Sequence, residues 1–152
     1  MKPMTQERAQ KVKEFLESKP ASLKVAPCLK PKVEIGLVLN EIEKLTYKNT
    51  NSKPEVLHRD AINPDIVFYF NDEAIQNLLN HSCEDVGEFG IYVLKEYFKK
   101  NISFKIFGGL LSLSSNGYLK IIQLGGVSFA KYLAEHGVAS ISKIISMVLN
   151  RK

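Results

Sequence analysis

The chain has 152 residues, of which 45% are apolar and 24% are charged, and these proportions are ordinary for one globular domain. It contains no run of about eighteen apolar residues, and its first twenty residues mix Lys and Arg with Glu, so we expect neither a membrane span nor a secretory signal. Two cysteines, Cys28 and Cys83, indicate no disulfide framework or zinc site. We therefore expect a cytoplasmic protein with two free thiols.

The net charge of +5 is carried by residues 1–32, whereas residues 33–152 have equal numbers of acidic and basic side chains. A nucleic-acid-binding domain would more often carry its basic face on the folded part, so we expect no nucleic-acid partner. The basic segment is interpreted as a solvated, lysine-rich entry segment, with transient contact with an anionic membrane as the alternative. The predicted organisation is a single domain over 1–152, with a helix and a basic, proline-containing arm in 1–32 and the core in 33–152.

The N-terminal half predicts one helix and three strands. Apolar residues at helical spacing indicate an amphipathic helix over 5–18, and the three prolines that follow indicate an extended connection as far as Pro31. Alternating apolar positions predict a strand over 33–39. Weaker strands at 41–48 and 55–59 flank a turn, and with the next strand they fit an antiparallel meander.

The stretch from Pro64 to Leu79 carries the clearest local signals. Ile66 to Phe70 is an unbroken β-branched and aromatic run, which is typical of a buried strand. Asn71 is a good helix N-cap, and the two acidic residues after it suit a helix N-terminus. The apolar residues that follow at helical spacing are Ala74, Ile75, Leu78 and Leu79. This strand-to-helix step predicts a sheet covered by helices.

The C-terminal half predicts a helix over 85–99, a half-buried strand over 102–107 and further helices. Residues 110–124 fit a helix, but Asn116-Gly117 between apolar runs also fits a hairpin, and we favour the helix. A short helix at 127–136 follows a Gly-Gly break. A last helix over 141–149 carries the apolar stripe of Ile141, Ile144, Ile145 and Val148.

Candidate catalytic residues are few. His81 and Cys83 are close in sequence, but a Cys-His nucleophile needs an orienting third group and an oxyanion hole, and no pattern predicts either. Gly108-Gly109 follows a strand but lacks the rest of a phosphate-binding motif. We therefore predict no cofactor, no metal and no enzymatic activity, and an enzyme using Cys83 and His81 is the weakest of three hypotheses.

The order of these elements, with the strand that runs into "NDEAIQNLL" and the later strand "ISFKIFGG", resembles the sterol carrier protein type 2 domain over about residues 4–124. The resemblance implies an α+β fold with a mainly antiparallel five-stranded sheet covered by helices. It also implies a tunnel for fatty acyl chains, sterols or isoprenoid lipids and no catalytic residues. The chain departs from the family in a longer helix within 81–101, and it ends in Asn-Arg-Lys rather than a Ser-Lys-Leu-like peroxisomal signal.

The first hypothesis is thus a non-enzymatic carrier that binds a lipid or other apolar small molecule in a tunnel. The predicted lining residues are inward-facing positions of the strands and helices: Ile66, Phe68, Phe70, Leu78, Phe104, Ile106, Leu113, Ile121, Ile122, Ile144 and Val148. The alternative is an interaction or scaffold protein whose C-terminal stripe pairs with another chain, for example in a homodimer.

Overall fold

A computed structural model describes residues 4–109 and 115–135, with the backbone alone at residues 4–6, 127, 128, 130, 133 and 134. The predicted helix over 141–149 and the predicted lining residues Leu113, Ile144 and Val148 lie outside these ranges. The elements in chain order are α1 (Met4–Ser18), α2 (Pro20–Val25), a 3-10 helix (Ala26–Cys28), β1 (Glu34–Leu39), β2 (Glu43–Thr50), β3 (Lys53–Leu57), β4 (Ile66–Phe70), α3 (Asp72–Leu79), α4 (Val86–Phe98), β5 (Ile102–Ile106) and α5 (Tyr118–Glu135).

The five strands form one sheet in the order β3-β2-β1-β4-β5, and only the β1–β4 pair is parallel. The predicted fold class, α+β with a mainly antiparallel five-stranded sheet, is confirmed. The predicted meander is right for β1 to β3 and wrong for β4, which crosses back to lie beside β1. β1 and β4 are therefore inner strands, each with a hydrogen-bonded strand on both sides.

The helices cover one face of the sheet. Because paired residues share a face, the register Ile35↔Ile66 and Leu37↔Phe68 places the apolar positions of β1 and β4 together on the side of the helices. The β1–β2 half of this face is closed by buried side chains: Ile35, Leu37, Leu39, Leu45 and Tyr47. In the described part of the chain, no helix is long and apolar enough to cross a membrane.

The N-terminal segment belongs to the packed structure. Ala9, Val12 and Phe15 are buried along one side of α1. The extended connection predicted after α1 is wrong, since α2 and the 3-10 helix occupy it. Pro20 stands in the first turn of α2, where a missing N–H costs nothing and the fixed φ suits a helix.

Side chains of α1 close the outer edge of β3. Lys13 Nζ donates to the Val56 carbonyl oxygen over 2.6 Å, and Glu17 Oε2 accepts from the Val56 N–H over 2.9 Å. The two side chains also form an ion pair of 2.8 Å. An edge strand leaves backbone groups unpaired, so this pair supplies partners that a sixth strand would otherwise give. Pro54, which has no N–H to offer, fits the same edge position.

Helix α3 begins as predicted, because the Asn71 Oδ1 accepts from the Ala74 N–H over 2.9 Å. The Asp85 carboxylate caps α4 in the same way by accepting from Glu88 N–H. A buried polar cluster then ties α4 to the start of β5: the Glu96 carboxylate accepts from Asn101 Nδ2 over 2.8 Å. Glu96 is only 3% exposed, and each hydrogen bond therefore replaces hydration that the carboxylate has lost.

Helix α5 settles the ambiguity at Asn116-Gly117. Residues 118–124 are helical, so the predicted helix is confirmed over that range and Asn116-Gly117 forms a turn before it, not a hairpin. Gly117 has φ of 106°, and a Cβ there would overlap the Cys28 carbonyl oxygen and lie 2.8 Å from its carbon. Gly126, with φ of 80°, kinks the helix at the predicted Gly-Gly break.

Candidate ligand-binding site

The β4–β5 half of the helix-covered face differs from the β1–β2 half in exposure. Ile66, Phe68, Phe104 and Ile106 form a continuous apolar group across the two strands, since Ile66 pairs with Ile106 and Phe68 with Phe104. Each of these four side chains is half-buried, whereas the equivalent positions of β1 and β2 are buried. We call these four residues the β4–β5 apolar surface.

Aromatic rings extend this surface toward α4. The Phe68 and Phe104 ring centroids are 5.9 Å apart, and the Tyr97 ring of α4 lies 5.0 Å from that of Phe104. Tyr97 in turn contacts Phe98, with 5.4 Å between centroids. Tilted and edge-to-face rings at these spacings attract one another, so they extend the apolar area from the sheet onto α4. Beyond the end of β5, Phe107 is 62% exposed.

Helix α5 lies against α4 and the 3-10 helix. Gly90 of α4 has no side chain to separate the two helices, and a Cβ there would overlap the Phe129 ring. Tyr118 and Leu119 of α5 are buried, and Ile121 and Ile122 are half-buried against the core. The first turns of α5 therefore present an aliphatic side to the same interior that the sheet face borders.

Hydrogen bonds fix the start of α5 beside the start of β4. Asn116 Nδ2 donates to the Asp65 carboxylate over 2.7 Å, and the Asn116 carbonyl accepts from Lys30 N–H over 3.3 Å. Asp65 directly precedes β4, and its carbonyl oxygen accepts from the Phe107 N–H over 2.7 Å. The end of β5, the start of β4 and the start of α5 thus meet at Asp65.

The predicted lining residues fall into three groups. Ile66, Phe68, Phe104 and Ile106 lie together on the β4–β5 apolar surface, and Ile121 and Ile122 face the core from α5. Phe70 and Leu78 are 9% and 2% exposed and take part in closed packing beneath α3, so they offer little surface to a ligand. The third group, Leu113, Ile144 and Val148, lies outside the described residues.

Sequence reasoning missed Tyr97 and Tyr118. An unbroken helix over 110–124 would place Gly117 and Leu124 on the same side as Ile121, but Gly117 precedes the helix and Leu124 is 47% exposed. Tyr118, Ile121 and Ile122 are instead at i, i+3 and i+4, the spacing that places side chains on one side of a helix. That spacing was readable from the sequence once the helix start was known.

The geometry around Cys83 does not fit a nucleophile. The thiol is buried, and burial raises its pKa to about 11, which keeps it protonated at neutral pH. His81 Nδ1 accepts from the Cys83 backbone N–H over 2.8 Å, while its ring contacts Tyr92 with 4.6 Å between centroids. The histidine therefore serves the loop backbone and an aromatic cluster with Tyr92 and Phe89.

On the open face of the sheet, opposite the helices, an ion pair joins Arg59 to Glu34. Arg59 donates to both carboxylate oxygens of Glu34 over 2.8 and 2.7 Å, and the Ile62 N–H donates to the same carboxylate over 2.7 Å. The hydrogen bonds from Arg59 lower the pKa of Glu34 to about 2 despite its burial. This ion pair holds the β3–β4 loop over the open face.

Three concavities elsewhere on the described residues mix polar and apolar linings. One of about 390 Å³ lies under the β3–β4 loop, and one of about 700 Å³ lies where β1 and β4 end, with Phe70 at its border. The third, of about 510 Å³, lies between α4 and α5 beside His81. Charged side chains such as Lys44 and Lys100 border the first two, and this chemistry contrasts with that of the β4–β5 apolar surface.

The fold and the surface define an α+β protein with a five-stranded sheet, helices on one face and an incompletely covered apolar area beneath them. No family model matches the chain, and no curated protein matches it in sequence. Its structure is similar to a solved structure titled "UbiJ-SCP2 Ubiquinone synthesis protein", with a TM-score of 0.45 and 10% sequence identity over 82% of this chain and 96% of that chain.

Proposed function

We propose that the protein binds an apolar small molecule, such as the acyl, sterol or isoprenoid part of a lipid, against the β4–β5 apolar surface. The contrast in exposure across one sheet face supports this proposal. The β1–β2 half is closed by its own side chains, whereas Phe68, Phe104 and their neighbours keep part of their area open beside α4 and α5. When a ligand covers apolar side chains that the fold leaves partly exposed, the burial of that apolar area is favourable and drives binding.

The free energy required for binding determines how much apolar area the complex must bury. Burial contributes about 25 cal/mol per Å² of apolar area. Association itself costs at least about 4 kcal/mol, and micromolar affinity requires about 8 kcal/mol net. The ligand and the protein together must therefore bury about 500 Å² of apolar area. A long hydrocarbon chain or a fused-ring system meets this requirement, whereas a small polar metabolite does not.

The proposed role is binding without catalysis. The buried Cys83 thiol, with its raised pKa, lacks the thiolate character that a nucleophile needs. His81 accepts a hydrogen bond from the Cys83 N–H at Nδ1, so that ring nitrogen is not available to take the proton of the thiol. Binding is therefore the function that the described side chains support best.

The first experiment is native mass spectrometry of the protein purified from cells, followed by solvent extraction and lipid analysis. We expect a co-purifying lipid in near-stoichiometric amount. Phe104→Gln places an amide on the β4–β5 apolar surface and should lower the loaded fraction or the affinity about tenfold. The matched control is Ser103→Gln, because Ser103 is the preceding residue of β5 and is exposed on the opposite face.

Circular dichroism and thermal unfolding of both variants distinguish lost binding from lost folding. A wild-type protein that carries no lipid and binds no added hydrocarbon probe would contradict the proposal. Equal loading of the folded Phe104→Gln and Ser103→Gln proteins would place the ligand elsewhere. Membrane contact, a homodimer and the lack of a nucleic-acid partner stay predictions from the sequence, and the C-terminal stripe on which the scaffold alternative depends lies outside the described residues.

A further inference from the structure

A buried hydroxyl lies at the start of α5. Tyr118 is 7% exposed, and its hydroxyl has no hydrogen-bond partner within the described ranges 4–109 and 115–135. Burying a hydroxyl without a partner is unfavourable, because the group loses its hydrogen bonds to water and gains none, so most buried tyrosines have a partner. Tyr47 illustrates the usual case, because its hydroxyl donates to the Ser22 carbonyl oxygen over 3.0 Å and lies 2.9 Å from the Ser22 Oγ.

Tyr118 lies at the start of α5, close to the point where β4 and the proposed ligand-binding surface begin. Tyr118 shares one side of α5 with Ile121 and Ile122, at i, i+3 and i+4. Its ring is part of the apolar core that Ile66 packs against. Asn116, two residues before Tyr118, donates to the carboxylate of Asp65 over 2.7 Å, and Asp65 directly precedes Ile66. The first turn of α5, which carries Tyr118, therefore lies beside the start of β4.

We propose that the Tyr118 hydroxyl donates a hydrogen bond to an uncharged oxygen of the bound ligand, such as an ester or ketone carbonyl. This inference rests on the proposed function, and it narrows the ligand to an uncharged lipid that carries a hydrogen-bond acceptor. The polar end of that lipid lies toward the start of β4, and its hydrocarbon part lies along Phe68 and Phe104.

The charge of the surroundings favours a neutral ligand over a fatty acid. Burial and, to a smaller extent, the Asp65 carboxylate raise the pKa of Tyr118 well above its usual value, so the hydroxyl keeps its proton and remains a donor. A ligand carboxylate at the same place would lose its hydration and lie near the like charge of Asp65. An ester or ketone oxygen accepts the same hydrogen bond without either cost.

The paired substitutions Tyr118→Phe and Tyr47→Phe test the state of the hydroxyl in the ligand-free protein. Both tyrosines are buried to a similar extent, at 7% and 6% exposed. Tyr118→Phe removes a hydroxyl that lacks a partner in the described structure, and we expect Tm to rise by about 2–5 °C. Tyr47→Phe removes two hydrogen bonds, and we expect Tm to fall by a comparable amount. A fall in Tm for Tyr118→Phe overturns the proposal.

Binding is measured with three probes of equal chain length: hexadecane, methyl palmitate and palmitate, each competing with the fluorescent hydrocarbon diphenylhexatriene. We expect the wild-type protein to bind methyl palmitate at least about tenfold more tightly than palmitate. Tyr118→Phe should weaken the binding of methyl palmitate about three- to tenfold and change the affinity for hexadecane less than about twofold. This pattern identifies a hydrogen bond, because a change in the shape of the binding site alone would weaken the binding of both uncharged probes equally.

The outcomes separate this inference from the proposed function. If neither diphenylhexatriene nor hexadecane binds the wild-type protein, the proposed function itself is wrong. If both bind but Tyr118→Phe leaves the affinity for methyl palmitate unchanged, or lowers the affinities for methyl palmitate and hexadecane equally, a hydrogen bond from Tyr118 to the ligand is refuted. The proposed binding of apolar molecules then still stands. Binding of palmitate as tight as that of methyl palmitate refutes the preference for an uncharged ligand.

Discussion

Replacing Gly117 by alanine should destabilise the fold strongly. At φ of 106° a side chain adds strain of about 1–2 kcal/mol. The new Cβ would also lie 2.8 Å from the Cys28 carbonyl carbon and 3.2 Å from the Leu29 Cα, so backbone on one side must move by about 1 Å. Such overpacking costs about 1–3 kcal/mol. Alanine also lowers the entropy of the unfolded chain, which offsets about 0.5 kcal/mol of these costs. The free energy of unfolding should therefore fall by about 2–4 kcal/mol.

Urea unfolding followed by circular dichroism measures this loss, and Tm should fall by about 5–15 °C. Two other glycines separate the contributions. Gly126 also has positive φ, at 80°, but no described atom lies within 4 Å of a Cβ there, so Gly126→Ala should cost about 1 kcal/mol from strain alone. Gly109 has open space and no positive φ, and Gly109→Ala should stay within about 0.5 kcal/mol of wild type. A Gly117→Ala protein as stable as Gly109→Ala would refute the close approach of α5 to the 3-10 helix.

Three further predictions concern ionisable and polar side chains. Glu34 has a pKa of about 2 in the folded protein against an ordinary 4.5, so its ionised form stabilises the fold above pH 4.5 and this contribution is lost as pH falls toward 2. Glu34→Gln should therefore lower the free energy of unfolding by about 1–2 kcal/mol at pH 7 and make it depend less on pH between 4.5 and 2. Curves of unfolding free energy against pH that run parallel for the two proteins would contradict this. Asn101→Ala removes a donor to buried Glu96 and should cost about 2–3 kcal/mol in urea unfolding, and a loss under about 0.5 kcal/mol would show that the cluster contributes little. Ellman's reagent should modify half-buried Cys28 before buried Cys83, and rapid modification of Cys83 in the native protein would argue against its burial.

Local signals predicted the middle of the chain well. The apolar run Ile66–Phe70, the cap Asn71 and the helix after it were all readable because each depends on a few neighbouring residues. Pro20 was misread, since proline suits both an extended segment and the first turn of a helix. The place of β4 beside β1 depends on contacts between distant residues, and a meander satisfies the same local pattern.

The sheet part of the candidate surface depended on strand geometry, and the helix part on where α5 begins. A period of two places Ile66 with Phe68 on one face of β4 and Phe104 with Ile106 on one face of β5, and the register pairs Phe68 with Phe104. Which face of β4 lies toward the helices could not be read from the sequence, because the run from Ile66 to Phe70 is apolar on both faces. For α5 the start of the helix determines which side chains face inward, and a shift of one residue rotates every side chain by about 100°. Tyr118 was missed for this reason, and its lack of a partner is a property of packing that no sequence pattern reports.

The contact of Lys13 and Glu17 with Val56 limits how copies of this protein can join. It leaves the sheet with one edge available for strand pairing, because within the described residues β5 has a strand neighbour on one side only. Two copies that pair their β5 edges would therefore present β3 at both ends of the joined sheet, where Lys13 and Glu17 already occupy the backbone groups of Val56. Strand addition at β3 would have to displace these α1 side chains, so the contact disfavours growth of the sheet beyond two copies.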